Sequence, residues 1–138
     1  MQGRRVRVLR AHRSGTLIRP TASTAGLDFF ARHALVERRR AAQVRALPGA
    51  LESARGPALL LGDLNTPPRG LLYGALGRLQ DAFAVAGRGL GYTFPSRLPL
   101  MRTDDVWSRG LRASAVRTAD APSDHRAVVA DLVRSGVP

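Results

Sequence analysis

The chain of 138 residues contains no cysteine and no lysine, and it has few aromatic residues. Without cysteine it can form no disulfide, iron–sulfur cluster, thiolate zinc site or cysteine nucleophile. Its longest apolar run, around Ala58 to Leu61, is too short to cross a bilayer. Residues 1–10 are basic but lack the apolar segment of a signal peptide. We therefore expect a cytoplasmic protein without a membrane span.

Acidic residues are also scarce: 22 basic residues, all of them arginine, stand against ten acidic ones, and the formal net charge is +12. This excess is typical of a protein that binds a phosphate-rich partner, because each arginine–phosphate contact releases counterions. The alternative is that the arginine content reflects a GC-rich genome and that the arginines are scattered over the solvated surface of the protein. The charge favours an anionic ligand but does not identify it.

The chain is long enough for one domain with a buried core, since 44% of its residues are apolar. Alternating residues predict a half-exposed strand over Val6 to Ala11, followed by a loop from Ser14 to Gly26. A helix is predicted from Leu27, with Asp28 as N-cap, to about Leu47. Pro48-Gly49 stops or interrupts this helix, with a short continuation as the alternative.

The second half begins with a strand buried on both faces, Ala58 to Gly62. The remaining elements are a broken helix over 71–85 and strands around Thr93, at 104–108, at 113–118 and at 126–133. The order of strands and helices predicts an α/β layered architecture.

The first candidate site is Gly62-Asp63-Leu64-Asn65, which places a carboxylate and a carboxamide directly after the buried strand. In an extended chain Asp63 and Asn65 point to the same side. They could bind a hard cation, activate water or hold a phosphate oxygen. The alternative is an Asx-turn that leads into Pro67-Pro68.

Three further candidates lie elsewhere in the chain. In Ser123-Asp124-His125, the histidine suits acid–base or charge-stabilising work and Asp124 suits a metal; the alternative is a capping serine beside a solvated histidine. Asp104 begins an apolar strand and could orient an imidazole, or be a strand-edge charge paired with an arginine. His12 ends the first strand, where a structural role is the alternative.

Taken in order, these motifs resemble the C-terminal half of the endonuclease/exonuclease/phosphatase superfamily, which has the deoxyribonuclease I-like fold. The set comprises His12, Gly62-Asp63-Leu64-Asn65, Thr93-Phe94-Pro95, Arg102-x-Asp104 and Ser123-Asp124-His125. The resemblance extends from about Val6 to Leu132. It implies an α/β, layered β-sandwich flanked by helices, with residues 1–138 as a single partial domain of about half the full fold.

The resemblance also implies divalent-metal-dependent hydrolysis of phosphoesters, of nuclease or phosphodiesterase type, with Mg²⁺ or Mn²⁺ as cofactor. Asp63 would orient or deprotonate water, and Asn65 would help hold that water and the phosphate. His125, oriented by Asp104, would donate to a phosphate oxygen, which His12 would also contact. The metal ligands implied are Asp63, Asn65, Asp124 and His125.

Departures from the family pattern carry their own expectations. The family's first half supplies an early asparagine and a metal-binding glutamate, whereas Glu37 and Glu52 here lie on the Arg-rich helical segment. We therefore expect impaired activity. We also expect one sheet whose inner face lacks its cover, which favours self-association or a second chain. Like-charge repulsion between Asp104 and Asp105 should raise the pKa of one of these two carboxyl groups. We expect this repulsion to weaken the Asp104–His125 pair.

Two alternatives to an independent enzyme stay open. One is a non-catalytic, truncated remnant that acts as a basic module binding anions, nucleic acid or another protein. The other is a half-domain that becomes competent only with another chain supplying the glutamate. DNA, RNA, nucleotide, inositol phosphate and phospholipid substrates all remain open, because the family selects its substrate through loops, many of them in its first half. Tyr92 and Trp107 do not point to nucleic acid, since core packing explains them as well as base stacking does.

Overall fold

The computed structural model describes residues 5–12, 27–53, 55–70 and 72–135, with the backbone alone for residues 27–33. The predicted loop over 14–26 and the side chain of Asp28 lie outside this description. In chain order the elements are β1 (Arg7–Arg10), α1 (Leu27–Glu52), β2 (Ala58–Asp63), a 3₁₀ helix (Tyr73–Leu76), β3 (Gln80–Asp81), α2 (Ala82–Ala86), β4 (Asp104–Arg109), β5 (Leu111–Ala119) and β6 (Ala127–Arg134).

The strands form two sheets. The larger has the order β1-β2-β4-β3, with β1 parallel to β2 and the other neighbours antiparallel, and the smaller is the antiparallel pair β5-β6. In the larger sheet Leu60 pairs with Trp107, and the next pair along is Leu61 with Val106. Because successive side chains of a strand point to opposite faces, these two pairs belong to different layers.

One face of the larger sheet packs against helical elements. Leu60 and Trp107 lie in a buried cluster with Val44 and Leu51 of α1 and with Leu76 of the 3₁₀ helix. Complete burial of such side chains is worth about 1.5–3 kcal/mol each. This layer therefore fixes α1 and β2 relative to each other.

The other face of the larger sheet is covered by the smaller sheet. Val106 is clustered with Ala113 and Val116 of β5, and Leu61 and Val128 pack against them. The expectation of a single sheet with an uncovered inner face is wrong for the described residues. After Gly110, whose φ is 69°, the chain leaves the larger sheet and builds a second layer.

Three element boundaries differ from expectation. Helix α1 continues through Pro48 to Glu52, which agrees with the alternative of a short continuation. This extension buries Leu51 in the cluster that contains Leu60 and Trp107. The predicted broken helix resolves into a 3₁₀ turn, the short β3 and α2. The predicted strand at Thr93 is only an isolated bridge between Phe94 and Met101, because the surrounding backbone turns back on itself.

No helix among the described residues could cross a membrane.

Candidate active site

Asp63 and Asp104 meet at one edge of the larger sheet. Asp63 is the last residue of β2 and Asp104 the first of β4, and the two are direct cross-strand partners. The antiparallel register therefore brings two predicted site residues together from positions 41 apart in the chain.

The end of β1 reaches the same edge through a close contact with Gly62. A Cβ on Gly62 would lie 1.8 Å from the carbonyl oxygen of Ala11, and the φ of Gly62 is 134°. The N–H of Ala11 donates to the carbonyl of Leu61 at 2.8 Å. His12 follows directly. Burial raises the pKa of Asp63, and His12 makes a small contribution that opposes this rise, so the end of the first strand contributes to the electrostatics of the site.

His125 is paired with Asp104. The distance from His125 Nδ1 to Asp104 Oδ2 is 2.7 Å, and the imidazole is about three-quarters buried. Burial lowers the pKa of His125, but the hydrogen bond and charge of Asp104, together with Asp63 and Asp124, outweigh it, and the net shift is upward. The geometry fits a carboxylate that holds an imidazole in one orientation and stabilises its protonated form.

Two threonines support this pair. The Thr103 hydroxyl donates to Asp104 Oδ2 at 3.1 Å, and it lies 3.5 Å from His125 Nδ1. Thr93, completely buried, accepts the backbone N–H groups of Thr103 and Asp104 on its hydroxyl oxygen, at 3.2 and 3.3 Å. The carbonyl of Thr93 accepts the N–H of Arg126 at 2.8 Å. Thr93 therefore ties β4 to the segment that carries His125.

The loop after Thr93 also packs on the histidine. The ring of Phe94 lies 4.7 Å from that of His125, centroid to centroid. The N–H of Ser96 donates to the carbonyl of Asp124 at 2.7 Å, and the Ser123 hydroxyl accepts the N–H of His125 at 3.1 Å. The sequence indicated Thr93 and Phe94 only as a motif of the family, and nothing in the pattern assigned them this supporting role.

Asp63 and Asn65 form an Asx-turn. Asp63 Oδ1 accepts the backbone N–H of Asn65 at 3.0 Å, and Asn65 has a φ of 49°. The assumption of an extended chain is wrong here, and the turn described by the alternative is present. Burial raises the pKa of Asp63. The hydrogen bond from the Asn65 N–H opposes this rise, and the neighbouring charge of Asp104 adds to it. A raised pKa makes a carboxylate a better base near neutral pH.

Arg40 of α1 reaches the same turn. Its Nη2 donates to the carbonyl oxygen of Asn65 at 3.1 Å, and its Nη1 pairs with Glu37 at 2.6 Å. The sequence pattern assigned no role at this site to Arg40. Its half-buried position between exposed Arg39 and the core is visible only in the structure.

Asp105 points away from this edge. Its side chain is completely buried, with Oδ1 3.1 Å from Nε of Arg102, which also pairs with Asp81. Burial raises the pKa of Asp105 to about 7, against the lowering charge of Arg102 and with contributions from Asp81 and Asp104. The pKa of Asp105 is raised as expected, but the main cause is burial, and the repulsion from Asp104 on which the expectation rested is a smaller contribution. Asp105 was also expected to weaken the Asp104–His125 pair. That pair is present at 2.7 Å, and Asp105 does not compete for it, because neighbouring residues of β4 face opposite sides of the sheet.

The described side chains do not assemble a metal site by themselves. Within residues 5–12, 34–53, 55–70 and 72–135, no three His, Asp or Glu side chains gather in a group that could hold an ion. Mg²⁺ needs near-octahedral coordination by oxygen, supplied by carboxylates, substrate phosphates and water. Asp124 is exposed, and its Oδ1 accepts the Ser123 hydroxyl at 3.3 Å. The predicted set of Asp63, Asn65, Asp124 and His125 therefore stays a prediction.

Comparison with solved structures confirms the predicted fold. An endonuclease/exonuclease/phosphatase protein from Bacteroides vulgatus superposes with a TM-score of 0.61 at 23% identity over 72% of this chain and 45% of its own. A conserved protein of unknown function from Enterococcus faecalis gives 0.59 at 23% identity, over 70% of this chain and 44% of its own. A mannosyl-6-phosphatase from Bacteroides thetaiotaomicron gives 0.51 at 18% identity, over 91% and 50%.

These likenesses define a layered α/β chain with the fold of the endonuclease/exonuclease/phosphatase proteins. The chain spans about half the length of the solved structures it matches. No family model matches the sequence, and no curated protein matches it significantly.

Proposed function

We propose that the edge formed by Asp63, Asp104 and His125 binds and hydrolyses a phosphoester, as a nuclease or phosphodiesterase does. The observation that carries this proposal is the 2.7 Å pair between His125 and Asp104 beside the buried carboxyl of Asp63. Carboxyl groups in different environments can take different roles in acid–base chemistry. Here one carboxyl orients an imidazole, and the other has a raised pKa.

His125 is the group proposed to stabilise the phosphate. Its Nδ1 is bound to Asp104, so Nε2 is the ring nitrogen that presents a proton to a phosphate oxygen. An upward-shifted pKa keeps more of the imidazole protonated near neutral pH. A fixed positive group at developing negative charge is among the strongest contributions to catalysis. His12, at the end of β1, is proposed as a second contact to the same phosphate.

Asp63 is the proposed base for the attacking water, and Asn65 is proposed to hold the water and the phosphate. The Asx-turn and the contact of Arg40 with the Asn65 carbonyl fix the backbone of this segment. The B. thetaiotaomicron structure with this fold is named a mannosyl-6-phosphatase, which adds phosphate monoesters to the substrates worth testing.

Mg²⁺ or Mn²⁺ is the proposed cofactor. When bound, such an ion neutralises phosphate charge and activates water. The described residues do not complete its site, so full activity requires ligands beyond them, from elsewhere in the chain, from a second chain or from the substrate. The absence of a three-ligand group among the described side chains also favours a second candidate, an anion-binding module that holds phosphate without turnover.

Hydrolysis of bis(p-nitrophenyl) phosphate and p-nitrophenyl phosphate, with Mn²⁺, Mg²⁺ or EDTA, tests the proposal. We expect metal-dependent turnover that falls about 100-fold or more in Asp63→Asn and His125→Gln. Asp131→Asn, an exposed carboxylate of β6, is the matched control and should behave like wild type. Turnover that resists EDTA or both site substitutions overturns the proposal. Absence of turnover, combined with phosphate binding that His125→Gln abolishes, replaces the enzyme with the anion-binding module.

A further inference from the structure

A basic groove lies beside the segment that carries His125. It has a volume of about 560 Å³, and its polar lining comes from Ser96, Arg97, Asp120, Ser123 and Arg126. We call it the Arg97–Arg126 groove. Its volume falls within the range of about 300–1,000 Å³ found for small-molecule sites. The groove is therefore large enough for a charged group together with part of the molecule that carries it.

The groove is joined to the candidate active site by short connections. Ser123 and Arg126 directly flank Asp124-His125 in the sequence, and the Ser123 hydroxyl accepts the N–H of His125. On the other wall, the N–H of Ser96 donates to the carbonyl of Asp124 at 2.7 Å, and its hydroxyl donates to the carbonyl of Ser123 at 2.9 Å. The two walls are thus bonded to each other and to the histidine segment.

The charges of the groove favour an anion. Arg97 is exposed and forms no ion pair with any described residue. Arg126 donates from Nη2 to Asp120 Oδ1 at 2.8 Å, and the Asp120 side chain is 91% exposed. An ion pair this exposed contributes little free energy, so a phosphate group with more charge and more acceptor oxygens can compete for the same guanidinium.

We propose that the Arg97–Arg126 groove binds a second phosphate group of the substrate whose reacting phosphate lies at His125. This inference rests on the proposed function and narrows the substrate to compounds that carry at least two phosphates. A small bisphosphate and a short nucleic-acid strand both supply this chemistry. Arg97 and Arg126 would form the charge-assisted hydrogen bonds, and Asp120 would compete with the ligand for Arg126.

Calorimetric titration with three probes tests the inference: inorganic phosphate, fructose 1,6-bisphosphate and a trideoxynucleotide. Wild type should bind at least one of the two larger probes about tenfold or more tightly than inorganic phosphate. Arg97→Gln and Arg126→Gln should each weaken that binding about tenfold and leave the affinity for inorganic phosphate unchanged. The probe that shows this loss identifies which source of phosphate the groove accepts.

Two further variants sharpen the test. Arg112→Gln removes the same charge from an exposed residue at the opposite end of β5, so it should leave all three affinities close to wild type. Asp120→Asn removes the competing carboxylate and should tighten binding of the larger probe about two- to fivefold. Melting temperatures of the variants check that each one folds.

The outcomes separate this inference from the function on which it rests. If Arg97→Gln and Arg126→Gln bind the larger probes like Arg112→Gln, the groove proposal is overturned, whereas phosphate binding that depends on His125 would keep the proposed function intact. Equal affinity for all three probes in wild type also overturns the groove. If no probe binds, or if His125→Gln has no effect on inorganic phosphate, the proposed function fails and the groove proposal fails with it.

Discussion

Asp63 and Asp104 face each other across β2 and β4, and their two carboxyl groups have different partners. Asp104 Oδ2 is hydrogen-bonded to His125 Nδ1 at 2.7 Å, whereas Asp63 Oδ1 accepts the backbone N–H of Asn65 at 3.0 Å. Burial raises the pKa of Asp63, and the nearby Asp104 charge adds to this rise. The strand register thus places a candidate base beside a carboxylate that orients an imidazole, within one sheet edge.

Arg40 should act as a positioning residue for Asn65. Its contact with the Asn65 carbonyl holds a residue with a φ of 49°, a conformation that persists only where the surroundings enforce it. Arg40→Ala should weaken binding of inorganic phosphate about five- to tenfold, as measured by calorimetry. Arg39→Ala removes the same charge from the exposed neighbour and should leave the affinity unchanged. Equal losses in both variants would show that only overall charge matters.

Thr93 should stabilise the fold and the site together. Thr93→Val keeps the shape but removes the oxygen that accepts the N–H groups of Thr103 and Asp104. Leaving buried donors unpaired should lower the free energy of unfolding by about 1–3 kcal/mol. Thr93→Ser keeps the hydroxyl and should lie within about 1 kcal/mol of wild type. Urea unfolding measures both variants, and equal destabilisation would contradict the role assigned to the hydroxyl.

Gly62 should tolerate no side chain. A Cβ there would overlap the Ala11 carbonyl at 1.8 Å, and its φ of 134° is strained for any other residue. Gly62→Ala should lower the free energy of unfolding by at least about 2 kcal/mol, as followed by urea unfolding. Gly74→Ala is the matched control, because nothing lies within 4 Å of its Cβ. A stable Gly62→Ala variant would contradict the close approach of β1 and β2.

Asp105 should make stability depend on pH. Its pKa is raised from 3.8 to about 7 by burial, so the folded state holds the proton more tightly than the unfolded chain. Wild type should therefore gain stability as pH falls through 7 toward 4, and lose that contribution above 7. The Asp105→Asn variant has no carboxyl group at this position that could bind or release a proton. Relative to the variant, wild type should gain about 2–3 kcal/mol between pH 8 and pH 5 in urea unfolding. A constant difference would contradict the raised pKa.

The layered α/β fold could be predicted from the sequence because its signals are local. The apolar run before Asp63 predicted β2, and the Arg-rich helical pattern predicted α1. The assignment of β5 and β6 to a second sheet could not be predicted from local patterns, because it depends on the turn at Gly110 and on the side-chain packing of Val116 and Val106. Periodicity identifies a strand but not the layer to which it belongs.

The candidate site shows the same division between local and non-local information. The motif order supplied Asp63, Asp104 and His125, and the structure brings these three together. The hydrogen bonds of Thr93 and Arg40 could not be predicted, because each joins residues from separate elements. Such contacts follow from strand register and helix placement, which a single sequence does not encode locally.

The most direct test of the account is the pKa of His125, followed by NMR titration of its ring protons, with His125→Gln to assign the signal. We expect a pKa above the ordinary value of about 6.5 in wild type, a lower pKa in Asp104→Asn, and a further rise when inorganic phosphate is added. A pKa at or below 6.5 that neither Asp104→Asn nor phosphate changes would contradict the proposed phosphate site.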